Sequence, residues 1–456
     1  MKWKKQPIDK YLMPAMPLLM VFLLGLNLLA SERSNDKVET DALLHSWRKM
    51  DSIKTHLPFA IDSLCYIQDE KHTLDPFLAQ LDSLLAGKDT VVRIVHLGDS
   101  HLQAGYYSGE AMRLLQEQFG NAGRGWIAPF KLSRSNEPED YFIRSVVKEW
   151  KAGRCIQNSP ACPWGIGGIG IETMSPSATF TFGVTPEKGA GYDFKEAILY
   201  RAEKSMPMVP YGTDKDSVRV FRADTLCAPD ILADTFRLSS LTASLSLEST
   251  RRKQGTDSLL PAELFTNRYY GFSLSNGKPG LLYHTIGVNG AMYVNYTSET
   301  YVKQLAVLKP ALLIISLGTN EAFGRNFTEE EFTGQIDAFL RLARKEMPNT
   351  VFLLTTPAEC YKRIRIKKRR RYVRNESMAR MAGAIARYAQ SEGIACWDLF
   401  AATGGKQSCK LWLNAGLFRA DHIHFTQEGY KEQGKLLYKA LVRLKKEEKK
   451  EDAITN

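Results

Sequence analysis

The fold class this 456-residue sequence predicts is α/β, a three-layer α/β/α parallel sheet with an inserted β-sandwich-like domain. Two observations predict it. Short β-branched apolar runs, each followed by a stretch with helical spacing, recur at both ends of the chain, which is the pattern of a parallel sheet covered on both faces. Between them, from about Arg134 to Gly280, short runs alternate apolar and polar residues among Gly, Pro, Asp and Asn clusters, the pattern of antiparallel strands.

Taken in order, the elements begin with Lys2, Lys4, Lys5 and Lys10 ahead of an almost uncharged run from Tyr11 to Ala30. That run is long enough to span a bilayer, and the acidic residues after it place the N-terminus inside and the body outside. An uncleaved anchor and a cleaved signal peptide are both open, since Leu28-Leu29-Ala30 is a poor cleavage site. Residues 1–31 are therefore assigned to export, with the body periplasmic or secreted. Residues 32–90 are a polar tether and helical lead-in, ending in an amphipathic helix over Leu74–Leu85. The first strand is Val91–Leu97, and helical spacing runs from about Tyr106 to Phe119. The insert, 134–280, contains the alternating runs Ala178–Phe182, Val218–Phe221 and Leu241–Leu247. Strands at Leu281–Ile286, Leu312–Leu317, Val351–Leu354 and about Ala395–Leu399 resume the sheet. Helices are expected over Glu299–Leu308, Thr328–Glu346 and Glu376–Gln390. A last helix, capped by Thr426, reaches about Lys445, and 447–456 reads as a charged tail.

Composition narrows the function. The formal charge is +11, but Lys362–Arg374 holds nine basic residues and no acid, so 11 − 9 leaves only +2 elsewhere. An exported chain with little aromatic interleaving in that run makes a nucleic-acid partner a poor choice. The run reads as a solvated loop or as a landing site for an anionic glycan or lipid surface. Seven cysteines cannot all pair; Cys155 with Cys162 is the best candidate for a short disulfide loop. No histidine or second cysteine pair completes a zinc set, so no metal is expected.

Chemistry concentrates at strand ends. Gly98-Asp99-Ser100 breaks the first strand and leaves Ser100 at a strand-to-helix turn, with an exposed hydroxyl and a backbone N–H near a helix start. In Asp421-His422-Ile423-His424, a three-residue offset lets Asp421 orient the His424 imidazole while its other nitrogen faces a serine. His422 is the local rival for that role. Gly290, in Gly287-Val288-Asn289-Gly290-Ala291, allows close backbone approach by a substrate. Asn320, in Gly318-Thr319-Asn320-Glu321, is a candidate oxyanion donor or a helix cap. Asp99 reads as a structural acceptor, His96 as a buried bonded histidine, and His101 as a neighbour of the site.

These strings resemble the sequence blocks of the SGNH (GDSL-type) hydrolases. The likeness covers roughly Val91–Phe130 and Leu281–Leu441; Gly98-Asp99-Ser100-His101-Leu102-Gln103-Ala104 is similar to the branch with peptidoglycan and polysaccharide O-acetylesterases. Glu321 stands where many relatives have Asp. The resemblance implies a flavodoxin-like hydrolase domain over 91–133 and 281–446. Its catalytic residues would be Ser100, Asp421 and His424, its oxyanion hole Ser100, Gly290 and Asn320, and it would use no cofactor. The implied activity is hydrolysis of O-acetyl esters on a cell-wall or extracytoplasmic glycan. A lipase- or thioesterase-like acyl hydrolase and a non-enzymatic glycan-binding protein are the alternatives.

Overall fold

The computed structural model describes residues 57, 60, 64–175, 178–212, 217–249, 266–324, 328–366 and 369–455, with side chains up to 445. The candidate membrane segment at 11–30 lies outside them. Among the described residues no helix is long and apolar enough to cross a membrane.

The central sheet has six strands in the order Ile67–Gln68, Ala395–Trp397, Val351–Thr355, Leu312–Ser316, Val91–Gly98, Gly280–Gly287. Five are parallel; Ile67–Gln68 joins the edge antiparallel to Ala395–Trp397. That two-residue strand, inside the stretch expected to be a tether, is too short to leave a periodic signal in sequence. Numbered along the chain, the parallel strands lie in the order 2-1-3-4-5, the flavodoxin-like arrangement. Leu312–Ile315 is 0% exposed at every residue, so both sheet faces are covered. One helical layer contains Asp75–Leu85, Tyr106–Phe119 and the helix beginning at Gln427; the other contains Glu299–Leu305, Glu329–Glu346 and Ser377–Glu392.

Two antiparallel sheets interrupt this pattern between the first two parallel strands. The larger runs Val218–Phe221, Leu232–Thr242, Phe194–Arg201, Asn267–Ser275, Ile169–Thr173, Lys151–Arg154, with Gly125–Ile127 also paired to Asn267–Ser275. The smaller runs Tyr141–Arg144, Thr179–Val184, Ser244–Ser249, Met208–Pro210. Phe180 and Phe182 on the smaller sheet meet Tyr269 and Phe272 on the larger; the Phe182 and Phe272 rings stack at 3.9 Å. This is the apolar centre of a sandwich. The alternating run Leu241–Leu247 is not one strand. It bends at Ala243 and passes from the larger sheet to the smaller. The strand Gly125–Ile127 already belongs to the larger sheet, upstream of the expected boundary at 134.

Three further expectations change. Lys362–Arg374 is not a loop: Tyr361–Ile366 and Arg369–Arg374 pair antiparallel as a hairpin. The alternation of Ile364, Ile366 and Val373 with basic residues is a strand signal that the charge obscures. All seven cysteines are free, and the Cys155–Cys162 bridge does not form. The Cys162 thiol points to the Gly170 carbonyl, 3.5 Å away, while Cys155 lies on the Tyr296 side. Finally, the last helix runs over Gln427–Thr455, through the expected tail, whose Glu, Lys and Ala residues are good helix formers.

Candidate active site

The sheet order reverses between Val91–Gly98 and Leu312–Ser316, and ligands of open α/β sheets bind outside the carboxyl ends of the strands at such a point. Ser100 follows the first of these strands and Asn320 the second. Gly98 ends the first strand pressed against Ser316 of the second. A Cβ there would lie 2.6 Å from Leu102 Cδ1 and 2.7 Å from the Ser316 carbonyl. Ser100 opens a short helix over Ser100–Gln103 whose cap is Asp99, its carboxylate accepting the His101 N–H at 2.9 Å.

His424, held by Asp421, reaches Ser100 from 324 residues away. One Asp421 oxygen accepts the backbone N–H groups of Ile423 and His424, each at 2.9 Å. The other lies 2.9 Å from His424 Nδ1. His424 Nε2 is 2.8 Å from Ser100 Oγ. With the carboxylate beside Nδ1, that nitrogen carries the proton and Nε2 presents its lone pair to the hydroxyl. Desolvation raises the Asp421 pKa, but the two N–H donors and the imidazole outweigh it and hold the carboxyl below its ordinary value.

His422 faces elsewhere. It sits at φ 56°, and its ring lies against Tyr372 of the basic hairpin, tilted by 39° with centroids 4.2 Å apart. Its carbonyl accepts the Tyr361 N–H at 3.0 Å. The turn thus sends its two histidines to opposite sides. His101 is half-buried, with Nδ1 3.0 Å from the Tyr430 hydroxyl and its ring 5.3 Å from that of His424. Burial brings its pKa to about 3, so it stays neutral beside His424. His96 is buried between the Tyr283 hydroxyl, 2.8 Å, and Ser316 Oγ, 2.7 Å, inside the first strand.

Ser100, Gly290, Asn320 and His424 line one pocket of about 640 Å³, a size usual for small-molecule sites. Gly290 adopts φ 84°, and a Cβ there would have only Ile156 of the insert within 4 Å. Among the described residues, neither the Ser100 nor the Gly290 N–H has a backbone acceptor. Asn320 does not cap the turn that follows it. Its amide donates to the Ala291 carbonyl at 2.9 Å and to Asp99 at 3.2 Å, which orients it at the pocket wall. Burial raises the Asp99 pKa to about 7. Glu321 accepts the N–H groups of Tyr293 and Gly318, bracing the Gly290 and Asn320 loops together.

Several wall residues carry no sequence signal. Asn136, from the start of the insert, accepts from Gln103 and from Asn289, both at 2.7 Å. The Asn289 N–H in turn donates to Gln103 at 2.8 Å. Tyr106, Phe323 and Arg419 complete the rim. Gln103 and Asn289 lie within the quoted motifs; Asn136 lies in an irregular segment that only tertiary structure brings here.

Residues 240–432 match the model of the GDSL-like Lipase/Acylhydrolase family. The match covers Gly290, Asn320, Asp421 and His424; Ser100 lies upstream of it, beyond the insert. No curated protein matches the sequence. A solved peptidoglycan O-acetylesterase superposes with a TM-score of 0.67 at 20% identity, over 84% of this chain and 99% of its own. At that identity the likeness is one of fold, and it extends across the insert. A lipase/acylhydrolase from Enterococcus faecalis aligns over 36% of this chain and 76% of its own, at 18% identity and a TM-score of 0.27. A GDSL-like lipase from Bacteroides thetaiotaomicron VPI-5482 covers the same shares at 21% identity and 0.28.

Proposed function

We propose that this chain, which carries a GDSL-like lipase/acylhydrolase domain, is a serine esterase that removes O-acetyl groups from a cell-wall or extracytoplasmic glycan. The observation that carries the reading is the continuous relay from Asp421 through His424 to Ser100, at 2.9 and 2.8 Å, in the pocket that Gly290 and Asn320 also line.

Ser100 Oγ attacks the ester carbonyl as His424 Nε2 takes its proton. The tetrahedral oxyanion is met by the N–H groups of Ser100 and Gly290 and by the Asn320 amide. Collapse breaks the C–O bond, and His424 returns the proton to the departing sugar hydroxyl. Water, deprotonated by His424, then hydrolyses the acetyl-Ser100 ester by the same route. The wall groups Asn136, Asn289, Arg419 and Tyr106 can hydrogen-bond a hydroxyl-rich leaving group. Likeness of fold to a peptidoglycan O-acetylesterase supports the same substrate class. The charge asymmetry around 11–30 agrees with it, since it sends the body outside the cytoplasm.

The test is acetate release from O-acetylated peptidoglycan and from 4-nitrophenyl esters of increasing chain length. Acetate preference, lost by roughly 10⁴-fold or more in Ser100→Ala, is expected. Wild-type turnover in that variant would remove the assignment; preference for long acyl chains would replace the glycan with a lipid-like ester.

A further inference from the structure

The basic hairpin does nothing in the chemistry above, yet it is built onto the turn that carries the base. Tyr361 N–H donates to the His422 carbonyl, and the Tyr372 ring packs at a tilt against that of His422, between Asp421 and His424. Its cross-strand partners are Tyr361 with Arg374, Arg363 with Tyr372 and Arg365 with Arg370 on one face. The other face pairs Lys362 with Val373, Ile364 with Arg371 and Ile366 with Arg369. Cross-strand partners share a face, so Arg363, Arg365 and Arg370 lie on the face whose Tyr372 meets the catalytic turn.

Most of the charge on this ribbon is uncompensated. At its base Arg374 pairs with Glu359 and Glu376. Beyond that, among the described residues, Arg363, Arg365, Arg369, Arg370 and Arg371 have no ion-pair partner. Directly opposed like charges, as at Arg365 and Arg370, destabilise a ribbon, and a two-stranded hairpin has little other stability. An array of guanidinium groups at alternate positions along an extended ribbon matches a carboxylate-bearing chain lying alongside it.

We propose that the hairpin face bearing Arg363, Arg365 and Arg370 binds a polyanionic, carboxylate-bearing glycan and feeds its acyl ester into the adjacent pocket. This rests on the reading of that pocket as a glycan-ester site and narrows the substrate to anionic glycans. Charge complementarity selects the occupant, and continuity with the catalytic turn selects a substrate over an unrelated surface.

The experiment measures binding with the full chain in neutral detergent, carrying Ser100→Ala so that nothing turns over. The probes are fluorescent O-acetylated pectin, which bears carboxylates, and O-acetylated glucomannan, which does not. Pectin should bind about ten-fold more tightly at low salt, an advantage that shrinks as salt screens the pair. Replacing Arg363, Arg365 and Arg370 together by Gln should cost about ten-fold for pectin and leave glucomannan unchanged. The same removal of three charges from the opposite face, Lys362, Arg369 and Arg371 to Gln, should cost less than about three-fold. Equal affinity for the two glycans, or equal losses from the two faces, overturns the proposal. So does a first-face loss confined to phosphatidylglycerol vesicles, which would make the hairpin a membrane contact. Binding on Ser100→Ala is independent of catalysis, so an inactive wild-type chain would remove the esterase reading and leave this measurement standing.

Discussion

At the scale of single residues, the turn Asp421–His424 shows how one short string separates two histidines. The left-handed backbone at His422 turns its ring onto Tyr372, while His424 returns to Ser100. His424→Ala should therefore lower turnover about as severely as loss of the serine, whereas His422→Ala should cost far less. Steady-state kinetics of the two variants check this, and the reverse order would reassign the base. Asn320 is a second case. Its amide already has two acceptors, and an oxyanion would compete for the longer bond, to Asp99. Asn320→Ala should lower kcat by roughly 10²–10³-fold with little change in KM, the usual cost of one oxyanion donor.

Asp99 adds a pH dependence. Burial raises its folded pKa to about 7, above the ordinary carboxylate value an unfolded chain shows. The folded state then holds the proton that the unfolded state has released. The stability that comes from holding it is complete below the unfolded value and is lost as pH rises to about 7. The wild type should lose Tm between pH 5 and 8, and Asp99→Asn, which cannot ionise, should flatten that fall. Thermal unfolding at the two pH values tests it; an unchanged slope would show that Asp99 is ionised throughout.

At the scale of elements, the site depends on strand ends that leave no room. Gly98 sits in register with Gly287 on one side and Ser316 on the other. A side chain there meets the Ser316 carbonyl, which belongs to a central strand and cannot move aside. Gly98→Ala should destabilise the protein by about 1–3 kcal/mol, read as a lower urea midpoint, and displace Ser100 with a matching loss of activity. Wild-type stability in that variant would mean that the strands separate more readily than their burial implies. The hairpin Tyr361–Arg374 illustrates the opposite problem. Its alternating Ile, Val and Tyr residues are strand-like, but nine cations in one run read as a solvated loop until the pairing is seen.

At the scale of the whole molecule, the chain is stabilised without covalent cross-links. Six of the seven thiols are buried and Cys227 alone is exposed. Burial pushes the thiols of Cys155, Cys396 and Cys409 up to about 12, which suppresses the reactive thiolate. Titration with a thiol reagent should modify one cysteine quickly in the native protein and seven after denaturation, and Tm should not respond to reductant. Fewer than seven thiols after denaturation would reveal a disulfide.

The sequence by itself determined the five parallel strands, most helices and the strings Gly98-Asp99-Ser100, Gly290, Gly318-Thr319-Asn320 and Asp421–His424. It could do so because hydrophobic period and strand-end turns are local properties. Even the separate β-rich region was legible as alternation, though not its corner at Ala243 or its first strand at Gly125–Ile127, where a sheet is entered without a periodic run. Tertiary structure alone decided which side of the turn each histidine takes, since backbone handedness at one residue settles it. It alone joined Asn136 of the insert to Gln103 and Asn289 at the pocket wall. It also separated Cys155 from Cys162, because seven residues of spacing say nothing about which way two loop thiols point.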